Sequence, residues 1–152
     1  FDSIVWILGN HEGRLLRQMQ SPFLPDALKK MFVGDEPKVQ IAPYYHCKVI
    51  SNGVEWRVTH PKSSGKGDAK WYSSKYLVNV IMCHNHHLVL QRDRSGKYWA
   101  IETGACCDEI RLPYVSQRDS KMDMHLLGAT IIRDGKAWLL HQDTPWDLLK
   151  KL

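Results

Sequence analysis

Two stretches of this chain are apolar without interruption, and each stops at a histidine-bearing junction. Ser3 to Leu8 reads Ser-Ile-Val-Trp-Ile-Leu and runs into Gly9-Asn10-His11, while Leu77 to Met82 runs into Cys83-His84. Strand-length runs with no polar alternation are what a strand buried on both faces needs, so both are predicted as interior strands. A helix follows the first, because from His11 to Gln20 the apolar Leu15, Leu16 and Met19 fall on one side and Arg14, Arg17 and Gln18 on the other. Chemistry often sits at such a strand-to-helix junction.

The remaining elements follow from turn and cap chemistry. Pro22 to Gly34 reads as a loop and a short helix; Val39 to Ile50 and Val54 to Thr59 read as strands joined at Asn52-Gly53, the second ending at His60-Pro61. Lys62 to Asp68 is a Ser-, Gly- and Lys-rich loop, and Asp68 can cap a helix reaching about Tyr76. Leu88 to Gln91 and Tyr98 to Glu102 flank the turn at Arg94 to Lys97, and Leu127 to Arg133 and Ala137 to His141 flank Asp134-Gly135, giving two more hairpins. Thr144-Pro145 opens a closing helix, with threonine as cap and proline in the first turn. Buried strands with helices, followed by hairpins, predict a mixed-sheet α/β sandwich rather than a doubly wound sheet.

Size and composition set the frame. A chain of 152 residues fits one domain, residues 1–152, since domains cluster near roughly 100–150 residues. Six Trp and six Tyr are more than a disordered tail carries. No apolar run approaches the ~20 residues of a membrane span, and the first residues lack a secretory pattern, so no membrane association is expected and a cytoplasmic location is the default. The four cysteines, Cys47, Cys83, Cys106 and Cys107, show no C-x-x-C pair and are expected as reduced, mostly buried thiols. Lys plus Arg exceed Asp plus Glu by 21 − 16 = 5, which is compatible with an anionic partner.

Three junctions carry the candidate chemistry: Gly9-Asn10-His11-Glu12, Thr59-His60 and Cys83-His84-Asn85-His86-His87. Imidazole nitrogens and amide oxygens at rigid strand ends are ligands that can be aimed at a divalent cation. A strand-end histidine taken singly is more often a hydrogen-bonded structural residue; the joint order is what points to a site. Gly-Asn-His-Glu after an apolar strand, a lone His after a second and His-x-His after a third resemble the last three of the five motifs of calcineurin-like metallophosphoesterases. Ile101-Glu102-Thr103-Gly104 and the final hairpin look like the corresponding turn and hairpin of phage and bacterial members.

The resemblance implies an α/β/β/α sandwich of metallophosphoesterase type, of which this chain is the C-terminal portion. It also implies a binuclear site of Mn, Fe, Zn or Mg in the complete domain. Asn10, His60 and His84 would ligate one metal, His86 the other, and His11 would be the general acid. A hydroxide bridging the metals would attack phosphorus in a phosphodiester or phosphomonoester, and His11 would protonate the leaving oxygen. Lys66 is expected on the substrate side, and His87, which would point to the opposite side of a strand from His86, is expected to be substrate-side or structural. Two departures stand out: Cys83 replaces the usual glycine, where it can crowd the turn, add a ligand or simply pack, and the family's Asp-x-His and Gly-Asp-x-x-Asp motifs do not occur here. The missing segment would supply strands beside Ser3 to Leu8, so self-association or dependence on a complementing N-terminal chain is expected. Asp108, Glu109 or Cys83 are the residues that could replace the absent motifs.

Other readings stay beside these. A truncated or eroded fold that binds phosphate or nucleic acid without turnover is the alternative function. Lys62, Lys66, Lys70 and Lys75, interleaved with Trp71, Tyr72 and Tyr76, suit a nucleic-acid contact. They suit better a solvated loop and a helix whose aromatics pack inward. His84-Asn85-His86 is not the spread motif of HNH nucleases, and Ser64-Gly65-Lys66-Gly67 is too short for a Walker loop. His46, His125 and His141 have no patterned partner.

Overall fold

The computed structural model describes residues 2–19, 24–42, 44–61, 68–106 and 126–151. Nine strands and four helices occur among them: β1 (Ile4–Trp6), α1 (Asn10–Met19), α2 (Leu24–Val33), β2 (Val39–Ile41), β3 (His46–Ser51), β4 (Val54–Thr59), α3 (Ala69–Tyr76), β5 (Asn79–Met82), β6 (Leu88–Arg92), β7 (Trp99–Thr103), β8 (Gly128–Arg133), β9 (Lys136–His141) and α4 (Trp146–Leu149). The class is mixed α/β. No helix among the described residues is long and apolar enough to cross a membrane.

The centre is a five-stranded mixed sheet in the order β3-β4-β5-β7-β6. β4, β5 and β7 run parallel, and the outer strands pair antiparallel. The β3–β4 hairpin forms because Asn52 and Gly53 both take positive φ, 48° and 76°, as a tight two-residue turn requires. α3 starts where Asp68 accepts a hydrogen bond from the Trp71 N–H at 2.7 Å, and ends at Leu77 in the left-handed conformation. Leu77 therefore caps the helix, and β5 begins two residues later than the apolar run suggests.

Side-chain alternation gives the sheet two cores. Val80, Met82 and Ala100 face α3, where Ala69 is fully buried with Tyr72 against it. Trp56, Ile81 and Ile101 face the β8–β9 hairpin, which contributes Ile132, Ala137 and Leu139. The layers are thus helix, five-stranded sheet and hairpin. The hairpin is pinned at both ends, by Thr130 Oγ1 to Thr103 Oγ1 at 2.8 Å and by the Gly135 N–H to Ser51 Oγ at 3.0 Å.

β1 and β2 form a separate two-stranded parallel sheet. The single strand read from Val39 to Ile50 is two strands instead; Pro43 stands between them in sequence, and proline has no N–H to continue a ladder. The interior placement expected of β1 is not observed. Ile4 and Val5 are 46% and 48% exposed, because β2 is their one strand partner among the described residues and no element there covers their outer face. Tyr45, just before β3, extends the β3–β4 ladder: its carbonyl accepts from the His60 N–H at 2.9 Å and from Thr59 Oγ1 at 3.0 Å.

Candidate functional site

In register, Thr59 lies beside Met82 and Met82 beside Glu102, so parallel strands β4, β5 and β7 end together. His60, Cys83-His84 and Thr103-Gly104 therefore share the carboxyl edge of the sheet, where α/β folds place ligand sites. Asn10 and His11 reach the same edge by another route, as the first residues of α1 after β1. Asn10's side chain lies outside what the structure describes, as do Lys62, Lys66, Cys107, Asp108, Glu109 and His125.

His60 and His84 meet. His84 Nδ1 stands 3.3 Å from His60 Nε2, with the rings edge to face at 81°. Gly9 makes this approach possible: a Cβ there would stand 2.9 Å from His60 Nε2 and 3.0 Å from Glu12 Oε2. Glu12 closes the first turn of α1 by accepting the Gly9 N–H at 2.8 Å. Its carboxylate and the His60 imidazole thus both approach the face of Gly9 that a Cβ would occupy.

The histidines sense one another. Burial first, then His84, with His11 and His86 adding and Glu12 opposing, bring the pKa of His60 down to about 4. His84 is lowered too, by burial and then by His11, against the pull of Glu102. At neutral pH both rings are neutral and carry a lone pair, the form that binds a metal. Two nitrogens bound to one ion at about 2.1 Å stand roughly 3.0–3.4 Å apart, so the observed separation suits two neighbouring ligands of one cation. Among the described residues, three or more His, Cys, Asp or Glu side chains are nowhere gathered into a complete metal cluster.

His86 and His87 diverge, but not through strand alternation. Residues 83–87 form no strand, and His86 takes a left-handed φ of 61°. Its carbonyl accepts from the Leu126 N–H at 3.1 Å and that of His87 from the Gly104 N–H at 2.7 Å. Gly104 has φ 76°, and a Cβ there would meet the Leu126 carbonyl oxygen at 2.6 Å. His86 opens onto a cavity of about 560 Å³ together with Cys83, Thr103, Cys106 and Thr130. His87 is held instead by a buried carboxylate: its Nδ1 lies 3.0 Å from Glu102 Oε2.

Glu102 is the residue that sequence reasoning passed over. At 3% exposed, it is the last but one residue of β7 and accepts from the Ala69 N–H at 3.1 Å and from Asn85 Nδ2 at 3.3 Å. One carboxylate thus fastens the start of α3 and the turn bearing the histidines. Nothing but its place at a strand end marked it.

Cys83 packs as a neutral thiol. Burial, then Cys47 and Cys106, push its pKa up to about 11. Among the described residues Cys47, Cys83 and Cys106 are free as expected, but Cys47 and Cys83 are only half-buried and Cys106 is exposed. His11 is exposed at the mouth of an apolar cavity of about 500 Å³ lined also by Trp6, Glu12, Leu15 and Phe32, with Arg14 Nη2 3.4 Å from its ring nitrogens. No family model matches the chain, and neither a curated protein nor a solved structure matches it.

Proposed function

We propose that the chain carries the C-terminal part of a calcineurin-like metallophosphoesterase domain, a metal-dependent hydrolase of phosphodiesters or phosphomonoesters. The observation that carries this reading is the 3.3 Å approach of His60 and His84 at a strand edge that also receives the start of α1. The helix, sheet and hairpin layers are compatible with three layers of an α/β/β/α sandwich, and the exposed outer face of β1 is where further sheet would add.

In this reading His60 and His84, with Asn10, hold one divalent cation (Mn, Fe, Zn or Mg), and His86 serves a second in the complete binuclear site. Such cations, when bound, supply an activated water and neutralise charge on the phosphoryl oxygens. The chain's own residues do the rest. Gly9 leaves room for His60, and Glu102 steadies Asn85 and His87 behind the ligand turn. His11, exposed on the first turn of α1, gives its proton to the leaving oxygen.

The test is hydrolysis of bis-p-nitrophenyl phosphate with and without added Mn, using the chain within its complete protein. Turnover that needs the metal and disappears in His84→Ala/His86→Ala is expected. Turnover that persists in excess chelator would remove the metal mechanism, whereas phosphate binding without turnover would favour the eroded binding module.

A further inference from the structure

α3 packs over β5 and β7, and among the described residues no element covers β3 and β4 on that side. The register pairs Lys48 with Arg57 and Ile50 with Glu55, while the alternate residues Val49 and Trp56 turn to the opposite core. The open strip is therefore floored by His46, Lys48, Ile50 and Arg57, with Ile50 64% exposed. Its wall is the flank of α3. Trp71 and Tyr76 do not pack inward as the helix pattern suggested; they remain 39% and 40% exposed, while Tyr72 packs against the core.

Cations and rings alternate along this strip. The Arg57 guanidinium lies 4.3 Å from the centre of the Tyr76 ring, with its Nε buried and without a hydrogen bond, and Lys75 Nζ lies 4.6 Å from the Trp71 ring. Tyr44, 67% exposed, stacks on His46 at the upper end. Lys48 is matched by Glu55 at 2.7 Å, and Arg57 and Lys75 have no carboxylate partner among the described residues. Tyr45, the next residue, holds the His60 backbone, so the strip leads to the candidate site.

We infer that this strip is a binding platform for single-stranded nucleic acid. Unstacked bases find exposed rings at Tyr44, Trp71 and Tyr76, and backbone phosphates find Arg57 and Lys75. A duplex hides the base faces that these rings would meet. An acidic peptide would use the charges but not the rings. Binding does not depend on the phosphoesterase reading; only delivery of a phosphodiester to the His60–His84 edge rests on it.

The test is fluorescence anisotropy with a labelled oligothymidylate of about 15 nucleotides, in excess chelator so that metal and turnover play no part. Trp71→Ala and Tyr76→Ala should each weaken binding about 5- to 100-fold, Tyr76→Phe should bind as the parent, and Trp138→Ala on the far hairpin should change nothing. Affinity should also fall steeply with salt. The inference is overturned if the oligonucleotide does not bind, or if a duplex of equal length binds as tightly. It is also overturned if polyglutamate or polyphosphate of matched charge competes equally while the ring variants bind as the parent. Should either alanine variant fail to fold, the comparison of single strand with duplex on the parent protein keeps the test decisive.

Discussion

Removing the Glu102 carboxylate should cost stability in a way that depends on what replaces it. Glu102→Ala deletes the acceptor of two groups, the buried Ala69 N–H and Asn85 Nδ2, and the carboxylate oxygen that faces the His87 ring. Asn85 and His87 are partly exposed and can turn to water. The Ala69 N–H cannot, because Ala69 is 0% exposed at the first turn of α3. An orphaned buried donor costs about 1–3 kcal/mol, and a hydrogen bond to a charged acceptor contributes about 1.5–3 kcal/mol. With modest relaxation the expected loss is about 2–3 kcal/mol, or roughly 5–10 °C in Tm for a domain of this size. Glu102→Gln keeps an oxygen for Ala69 and should cost under about 1 kcal/mol. Urea denaturation of the three proteins, followed by circular dichroism, reads the difference. Equal losses in Ala and Gln would mean that the charge facing His87, not the acceptor for α3, matters; no loss in Ala would refute the fastening role.

Two further outcomes are expected. His11→Ala should lower turnover on substrates with poor leaving groups by roughly 10²–10⁴-fold while sparing metal content; metal lost together with activity would make His11 a ligand. Asp93 shows a pH effect. Burial raises its pKa, but hydrogen bonds from Tyr98 N–H, the Ser95 hydroxyl and Lys97 N–H win and hold it at about 2. The unfolded chain then binds more protons below about pH 4, so Asp93's contribution is present above that pH and lost as pH falls toward 2. The stability gap between wild type and Asp93→Asn should narrow over that window, and a gap independent of pH would contradict the assignment.

What was legible in the sequence is what is encoded locally. Asn52-Gly53 and Asp134-Gly135 announced hairpins because few other residues adopt positive φ at low cost, and Asp68 announced α3 because a cap needs only its own first turn. The histidine junctions after β4 and β5 were readable because apolar runs and turn residues fix where strands stop. What escaped depends on distant neighbours. β1 has the sequence of an interior strand, but burial is a property of what packs on it. Glu102 reads only as the last residue of a predicted strand, and its role depends on β7 placing it against the start of α3 and the 84–87 turn. His87, read as substrate-side or structural, lies against Glu102 where the left-handed His86 turns the chain.

The metal reading is tested most directly by calorimetric titration of the chain with Mn²⁺ and Zn²⁺, beside His60→Ala and His84→Ala. Asn10, His60 and His84 offer three groups to one ion and leave His86 alone for another, and metal sites generally need three or more protein ligands. The expected result is about one weakly bound ion per chain, lost in both variants. Binding that is absent from the parent, or unchanged when either histidine is replaced, would contradict the assignment of the His60–His84 pair as a metal site.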